Sequence, residues 1–138
     1  MSRPPIRSLG EIALQVHDMN RMVDFYANVV GLELLRRFPG NGPAFFRVAE
    51  GVEGHTQVLA LFDRGGRAES VARSPSLDHL AFSLSLADLQ SERDRVQALG
   101  VLVREETHGW VQWRSFYIDD PEGNVVEWVA FDPSIPGA

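Results

Sequence analysis

Two short segments of the chain alternate large apolar residues with small or polar ones. Residues 11–16 read Glu-Ile-Ala-Leu-Gln-Val and residues 79–84 read His-Leu-Ala-Phe-Ser-Leu. A period of two places the bulky side chains on one face of an extended chain, so each segment predicts a half-buried β-strand. The small and polar residues share the opposite face of each strand. They leave a hollow there, which is a candidate place for a ligand.

A helix pattern follows each of these strands. Asp18 is a candidate N-cap for the first helix, and a glycine is the predicted stop of both helices. The apolar positions recur at helical spacing, although the second stripe is thinner. They are Met22, Phe25, Tyr26, Val29 and Val30 before Gly31, and Leu89, Val96 and Leu99 before Gly100.

Three further strands are predicted in each half, so both halves have the order βαβββ. They cover residues 33–38, 43–49 and 56–62 in the first half, and residues 101–105, 114–119 and 124–130 in the second. Residues 120–123, Asp-Pro-Glu-Gly, form a turn between the last two strands. Equivalent positions of the two halves are separated by nearly the same number of residues: 68 for Glu11 and His79, and 67 for Ala60 and Glu127.

This repeat predicts an α+β fold in which two βαβββ modules form curved mixed sheets around a central cleft. One domain covers residues 1–138, with module one at about 8–63 and module two at about 76–131. The stretch 64–75, rich in Gly, Arg and Ser, is the predicted linker. The repeat is not that of a solenoid, because each unit is longer than a solenoid repeat and there are only two copies.

The amino-acid composition and net charge exclude several classes of function. The 138 residues are 44% apolar and 23% charged, which is typical of one folded domain. A net charge of −6 disfavours binding to nucleic acid or to an anionic membrane surface, and no apolar run is long enough to span a bilayer. The absence of cysteine excludes disulfides and thiolate ligands. We therefore expect a cytoplasmic protein with a small-molecule partner.

Three side chains form a candidate metal site. Glu127 lies among valines and a tryptophan, and a buried carboxylate needs a proton, a cation or a metal. Glu11 and His79 occupy equivalent places in the repeat, so near-symmetry directs them to one cavity. One imidazole and two carboxylates suit Mn²⁺, Fe²⁺, Ni²⁺ or Zn²⁺. The alternatives are a solvated edge-strand carboxylate for each Glu and a structural role for His79.

Four phrases of the sequence closely resemble the vicinal oxygen chelate superfamily. They are residues 11–16, residues 24–26 with 31–32, residues 77–82, and residues 120–127. The resemblance implies paired modules around a divalent metal that chelates substrate oxygen atoms, although bleomycin-binding relatives lack the metal. By position, the ligands would be Glu11, Ala60, His79 and Glu127. Ala60 cannot bind a metal, and Glu11 stands where His is usual, which leaves three ligands.

A narrower resemblance concerns the end of the chain. His108, Phe116-Tyr117 and Glu127 follow the spacing of the extradiol dioxygenase signature, from which Glu106 departs. It implies that His108 acts in acid–base chemistry and that Tyr117 hydrogen-bonds a substrate oxygen. The alternatives are a surface loop for His108 and a core position for Tyr117. A set of aromatic residues is a candidate wall for an aromatic substrate: Phe45, Phe46, Trp110 and Trp113.

Three functions remain open. The first is extradiol cleavage of a catechol by a metal-dependent enzyme with His108 and Tyr117 as catalytic residues. The second is a glyoxalase-like lyase or isomerase, against which Ala60 counts. The third is a metal-free protein that binds a small molecule or an antibiotic. The resemblance also implies a homodimer.

Overall fold

The computed structural model describes residues 3–65 and 76–137, and the chain divides into two compact units, Met1–Ser70 and Val71–Ala138. Each unit contains one helical segment and one four-stranded mixed sheet. Within the described ranges, no helix is long and apolar enough to cross a membrane. The boundary between the two units falls within the predicted linker 64–75, of which residues 66–75 lie outside the described residues.

The first unit follows the predicted order. Its elements are β1 (Glu11–Val16), α1 (Met19–Asp24) with a π-helical continuation (Phe25–Val30), β2 (Glu33–Arg37), β3 (Ala44–Val52) and β4 (His55–Asp63). The strand order is β1-β4-β3-β2, with β1 parallel to β4 and the other neighbours antiparallel. Leu14 and Val16 are buried, and Tyr26 of the helical segment is fully buried. The bulky face of β1 is therefore a core face, as the alternation predicted.

Both ends of the first helical segment have the predicted caps. The carboxylate of Asp18 accepts a hydrogen bond from the backbone N–H of Arg21 at 3.1 Å. Gly31 ends the segment with φ +87°, a left-handed conformation that only glycine adopts without strain. These two local signals set the length of the helical segment, and hence where β2 begins.

The second unit repeats the architecture. Its elements are β5 (His79–Ser83), α2 (Leu86–Ala98), β6 (Arg104–His108), β7 (Trp113–Asp119) and β8 (Val125–Phe131), in the strand order β5-β8-β7-β6. The registers match across the repeat, since Ala13 lies opposite Ala60 and Ala81 lies opposite Glu127. The prediction of two βαβββ modules in an α+β fold is confirmed.

Two local expectations were wrong. Strand β6 covers Arg104–His108 instead of residues 101–105, because its register is set by pairing with β7 and not by the apolar residues that precede it. Leu99, expected in the apolar stripe of α2, is 54% exposed. Helix α2 uses Leu89 and Val96 as its buried contacts with the sheet.

The sheet of the second unit has two distinct faces. Phe116, Ile118, Val126 and Trp128 are buried on the face against which α2 packs, and the rings of Phe116 and Trp128 stack at 4.6 Å. The opposite face carries the side chains that alternate with these residues. They include His79 on β5, Glu127 on β8 and Tyr117 on β7, and we call this surface the polar face.

Candidate functional site

Glu127 is a buried carboxylate at the centre of the polar face, with only 6% of its surface exposed. The hydroxyl of Ser115 donates a hydrogen bond to Glu127 Oε2 at 2.6 Å. Tyr117 lies directly opposite Glu127 in the β7–β8 ladder. Burial of the carboxyl group without partners would cost several kcal/mol, so the contacts with Ser115 and with His79 explain how this polar group is tolerated here.

His79 faces the other oxygen of the same carboxylate. Its Nε2 lies 3.1 Å from Glu127 Oε1, and its Nδ1 lies 2.7 Å from Asp78 Oδ2. The hydrogen bond to Asp78 raises the pKa of the His79 imidazole above its ordinary value; partial burial opposes the rise and the charge of Glu127 adds to it. In the protonated ring Nδ1–H donates to Asp78 and Nε2–H donates to Glu127; when Nε2 loses its proton, its lone pair is directed at Glu127.

A histidine and a tyrosine lie on the other side of Glu127. His108 Nε2 is 3.1 Å from the hydroxyl of Tyr117 and 3.9 Å from Glu127 Oε2. Burial, with the charge of Glu127, raises the pKa of Tyr117 to about 12. Tyr117 is therefore a neutral donor at any physiological pH. Its O–H lies beside His108 Nε2 and has one proton to donate, so it can serve one acceptor at a time.

The pair His79 and Glu127 fits a divalent cation. Without a proton between them, two acceptor atoms face each other at 3.1 Å. Neighbouring ligands of an octahedral ion with bonds of about 2.1 Å are about 3 Å apart. The Asp78–His79 hydrogen bond also has the form of the carboxylate–histidine contact that orients metal-binding imidazoles. Donor type and spacing are therefore compatible with two ligands of a nitrogen- and oxygen-ligated metal, and equally with a hydrogen bond from a protonated imidazole.

The other predicted residues are placed as follows. Glu11 is an exposed residue of β1 in the first unit, at the position equivalent to His79. Ala60 is fully buried at the position equivalent to Glu127. In the described part of the chain, no group of three or more His, Asp or Glu side chains is arranged to hold a metal. The second unit thus brings together His79, Glu127, His108 and Tyr117.

Two residues of the site were missed from the sequence. Asp78 precedes His79 directly, and Ser115 stands two residues before Tyr117, so strand alternation was the available signal for Ser115. One aromatic candidate was wrong, because Phe46 is fully buried in the core of the first unit. Phe45 is half-buried, and its ring meets that of Phe62 edge to face at 6.0 Å.

We expect His79 to contribute to the free energy of unfolding of the metal-free protein, and we expect this contribution to decrease as the pH rises. Because the folded-state pKa is raised, protonated His79 stabilises the fold fully below about pH 6.5, and this contribution is lost as pH rises through the folded pKa. Urea unfolding of the wild type and His79→Gln from about pH 5.5 to 8.5 measures it. The difference between the two should shrink with rising pH; a constant or growing difference contradicts this assignment. His55→Gln, in the first unit, is the control.

Comparison with known proteins agrees with the fold. Residues 8–128 match the model of the Glyoxalase/Bleomycin resistance protein/Dioxygenase superfamily, and the chain belongs to that family. This membership confirms the resemblance to vicinal oxygen chelate proteins.

Three relatives are similar along most of the chain. The uncharacterized protein PA2024 of Pseudomonas aeruginosa is 29% identical over 135 residues, 95% of this chain and 94% of that protein. The metallothiol transferase FosB of Lysinibacillus sphaericus is 28% identical over 130 residues, 88% of this chain and 81% of that protein. The crystal structure of lactoylglutathione lyase from Agrobacterium tumefaciens is 30% identical, covers 93% of this chain and 96% of its own, and has a TM-score of 0.66.

Proposed function

We propose that this protein is a divalent-metal-dependent enzyme that binds a small substrate through neighbouring oxygen atoms. One observation carries the proposal: His79 Nε2 and Glu127 Oε1 face each other at 3.1 Å, beside the hydrogen-bonded pair His108 and Tyr117. In the metal-free protein a protonated His79 is a donor to Glu127. We infer that a divalent cation can take the place of that proton, because it would be held by the same two atoms.

His79 and Glu127 would hold the ion, with Glu11 as the third ligand. Fe, Mn, Ni and Zn are all compatible with one imidazole and two carboxylates. The name of the metallothiol transferase relative supports metal use. When bound, the metal would act as a Lewis acid on substrate oxygen atoms. Because His79 Nε2 binds either a proton or a metal, metal affinity should decrease in acid.

Tyr117 and His108 would handle the protons of the substrate. Tyr117, with its pKa raised to about 12, donates a hydrogen bond to a substrate oxygen and does not act as a base. His108, 3.1 Å from the Tyr117 hydroxyl, accepts a proton from the substrate or returns one to it. General acid–base catalysis of this kind contributes about 10²- to 10⁴-fold to a rate.

Extradiol cleavage of a catechol is the reaction that we propose first, because it uses a histidine and a tyrosine beside the metal ligands. A lyase or isomerase reaction is the second candidate, supported by the 30% identity to lactoylglutathione lyase. Against the second stands Ala60, which has no donor atom at the position of the first unit equivalent to Glu127. In both cases the chelated group carries two neighbouring oxygen atoms.

Metal analysis and oxygen uptake test this proposal together. Protein purified without added metal should contain a divalent ion and consume O₂ with catechols. Tyr117→Phe should keep the metal and lose about 10²-fold in kcat, whereas His55→Gln should match the wild type. Isomerisation of a thiol–ketoaldehyde adduct without O₂ uptake would select the second reaction. Protein that binds no metal and sequesters apolar compounds would overturn the enzyme proposal.

We also propose a homodimer, as the family resemblance implies. Light scattering should give twice the mass of one chain, and a monomer at working concentration would contradict this.

A further inference from the structure

Ser115 is a buried polar residue of β7 that contacts one of the two proposed metal ligands. It is 1% exposed, although its neighbours along β7 on the polar face, Trp113 and Tyr117, are not buried. Its hydroxyl donates to Glu127 Oε2 at 2.6 Å, the length of a hydrogen bond to a charged acceptor. Because both partners are buried, water competes little for this contact.

The register of the sheet makes this contact a diagonal one. Ser115 lies opposite Val129 in the β7–β8 ladder, whereas Glu127 lies opposite Tyr117. Diagonal neighbours on one face are about 7–8 Å apart, which is within reach of a long side chain. Because the serine side chain is short, the glutamate side chain must extend along the sheet towards it. The contact therefore sets the direction in which the carboxyl group points.

In each of the two proposed ligands, a neighbouring residue holds the atom that faces away from the other ligand. Asp78 Oδ2 lies 2.7 Å from His79 Nδ1, and Ser115 holds Glu127 Oε2. The two remaining atoms, His79 Nε2 and Glu127 Oε1, face each other at 3.1 Å. The side chain of Asp78 is 95% exposed, so water and salt weaken its contact, whereas Ser115 is buried. Ser115 is therefore the stronger of the two contacts.

We propose that Ser115 is a positioning residue that directs Oε1 of Glu127, and not Oε2, to the metal. This rests on the proposed function, in which His79 and Glu127 hold a divalent ion. A carboxylate can bind an ion through one oxygen or through both. With Oε2 bonded to Ser115, Glu127 occupies a single coordination position. A further position then stays open to a substrate that binds through two neighbouring oxygen atoms.

Metal affinity measures the contribution of the Ser115 hydroxyl. In calorimetric titrations with Zn²⁺, Ser115→Ala should bind the ion about 10- to 100-fold more weakly, the usual effect of deleting a partner that orients a metal ligand. Ser115→Thr keeps the hydroxyl and should retain most of the affinity. Ser83→Ala is the matched control and should match the wild type, because Ser83 is an exposed serine on the same face, four residues along β5 from His79.

Crystal structures with Zn²⁺ show which oxygen binds. In the wild type, Oε1 should lie about 2.0–2.2 Å from the ion, and Oε2 should stay bonded to Ser115. In Ser115→Ala, both oxygens should approach the ion, since nothing holds Oε2 away from it. The wild-type structure tests the choice of oxygen by itself if Ser115→Ala does not fold.

The outcomes separate this inference from the proposed function. If Ser115→Ala binds zinc as tightly as the wild type, or if Oε2 is the bound oxygen in the wild type, the inference is overturned while the metal enzyme stands. If Ser115→Thr loses as much affinity as Ser115→Ala, packing at this position matters instead of the hydroxyl, and the inference is again overturned. If the wild type binds no zinc, the proposed function fails and the inference fails with it.

Discussion

Replacing Glu127 with alanine is expected to lower the affinity of the protein for Zn²⁺ by more than about 100-fold. Mutation of a residue that only orients a metal ligand typically lowers metal affinity by about 10- to 100-fold, and the loss of a ligand itself should lower it further. The carboxyl group is 6% exposed and faces His79 Nε2 at 3.1 Å. Its loss leaves His79 as the one proposed metal ligand in the second unit, and one neutral ligand does not hold a divalent ion tightly. Isothermal titration calorimetry with the metal-free protein measures the change.

A second variant separates metal binding from folding. Glu127→Gln keeps an amide oxygen that can accept from Ser115, so it should fold like the wild type and still lose most of the zinc affinity. Glu105→Ala is the matched control, because Glu105 is an exposed carboxylate of β6 that pairs with Arg93. Equal zinc affinity in Glu127→Gln and Glu105→Ala would remove Glu127 from the ligand set.

The second large effect is a loss of stability, and we expect it to differ between the two faces of the sheet in the second unit. Phe116→Ala should lower the free energy of unfolding by about 3–5 kcal/mol, as is usual when a buried phenyl ring is deleted. Phe116 is 1% exposed and stacks on Trp128. Trp113→Ala, three residues earlier on β7 and on the polar face, should cost no more than about 1 kcal/mol, since surface substitutions usually do little.

Urea unfolding at constant pH measures both variants. The contrast between them tests the assignment of faces, on which the candidate site depends. A loss of similar size for Trp113→Ala would mean that Trp113 is part of a packed core.

Much of the fold could be predicted because its signals are local. The alternation in residues 11–16 and 79–84 predicted β1 and β5, and Asp18 and Gly31 marked the ends of the first helical segment. Strand β6 was misplaced because its sequence, Arg-Glu-Glu-Thr-His, contains no apolar alternation. Its position depends on pairing with β7. Which residues of two strands pair cannot be predicted from the sequence of either strand alone.

Part of the candidate site could likewise be predicted from local sequence, and part could not. The burial of Glu127 could be predicted from its apolar neighbours, and its place beside His79 followed from the repeat. The hydroxyl that donates to it, from Ser115, comes from the next strand of the sheet. Ser115 was missed because a serine in a strand is common and the ladder register decides what it contacts. The role of Glu11 as a third ligand stays a prediction.

The most direct test of the metal centre is a crystal structure of the protein grown with Zn²⁺. We expect an anomalous peak about 2.0–2.2 Å from His79 Nε2 and from a carboxylate oxygen of Glu127, which are the usual zinc distances. The same map would show which further side chain binds the ion. Zinc bound elsewhere, with His79 still hydrogen-bonded to Glu127, would contradict the account.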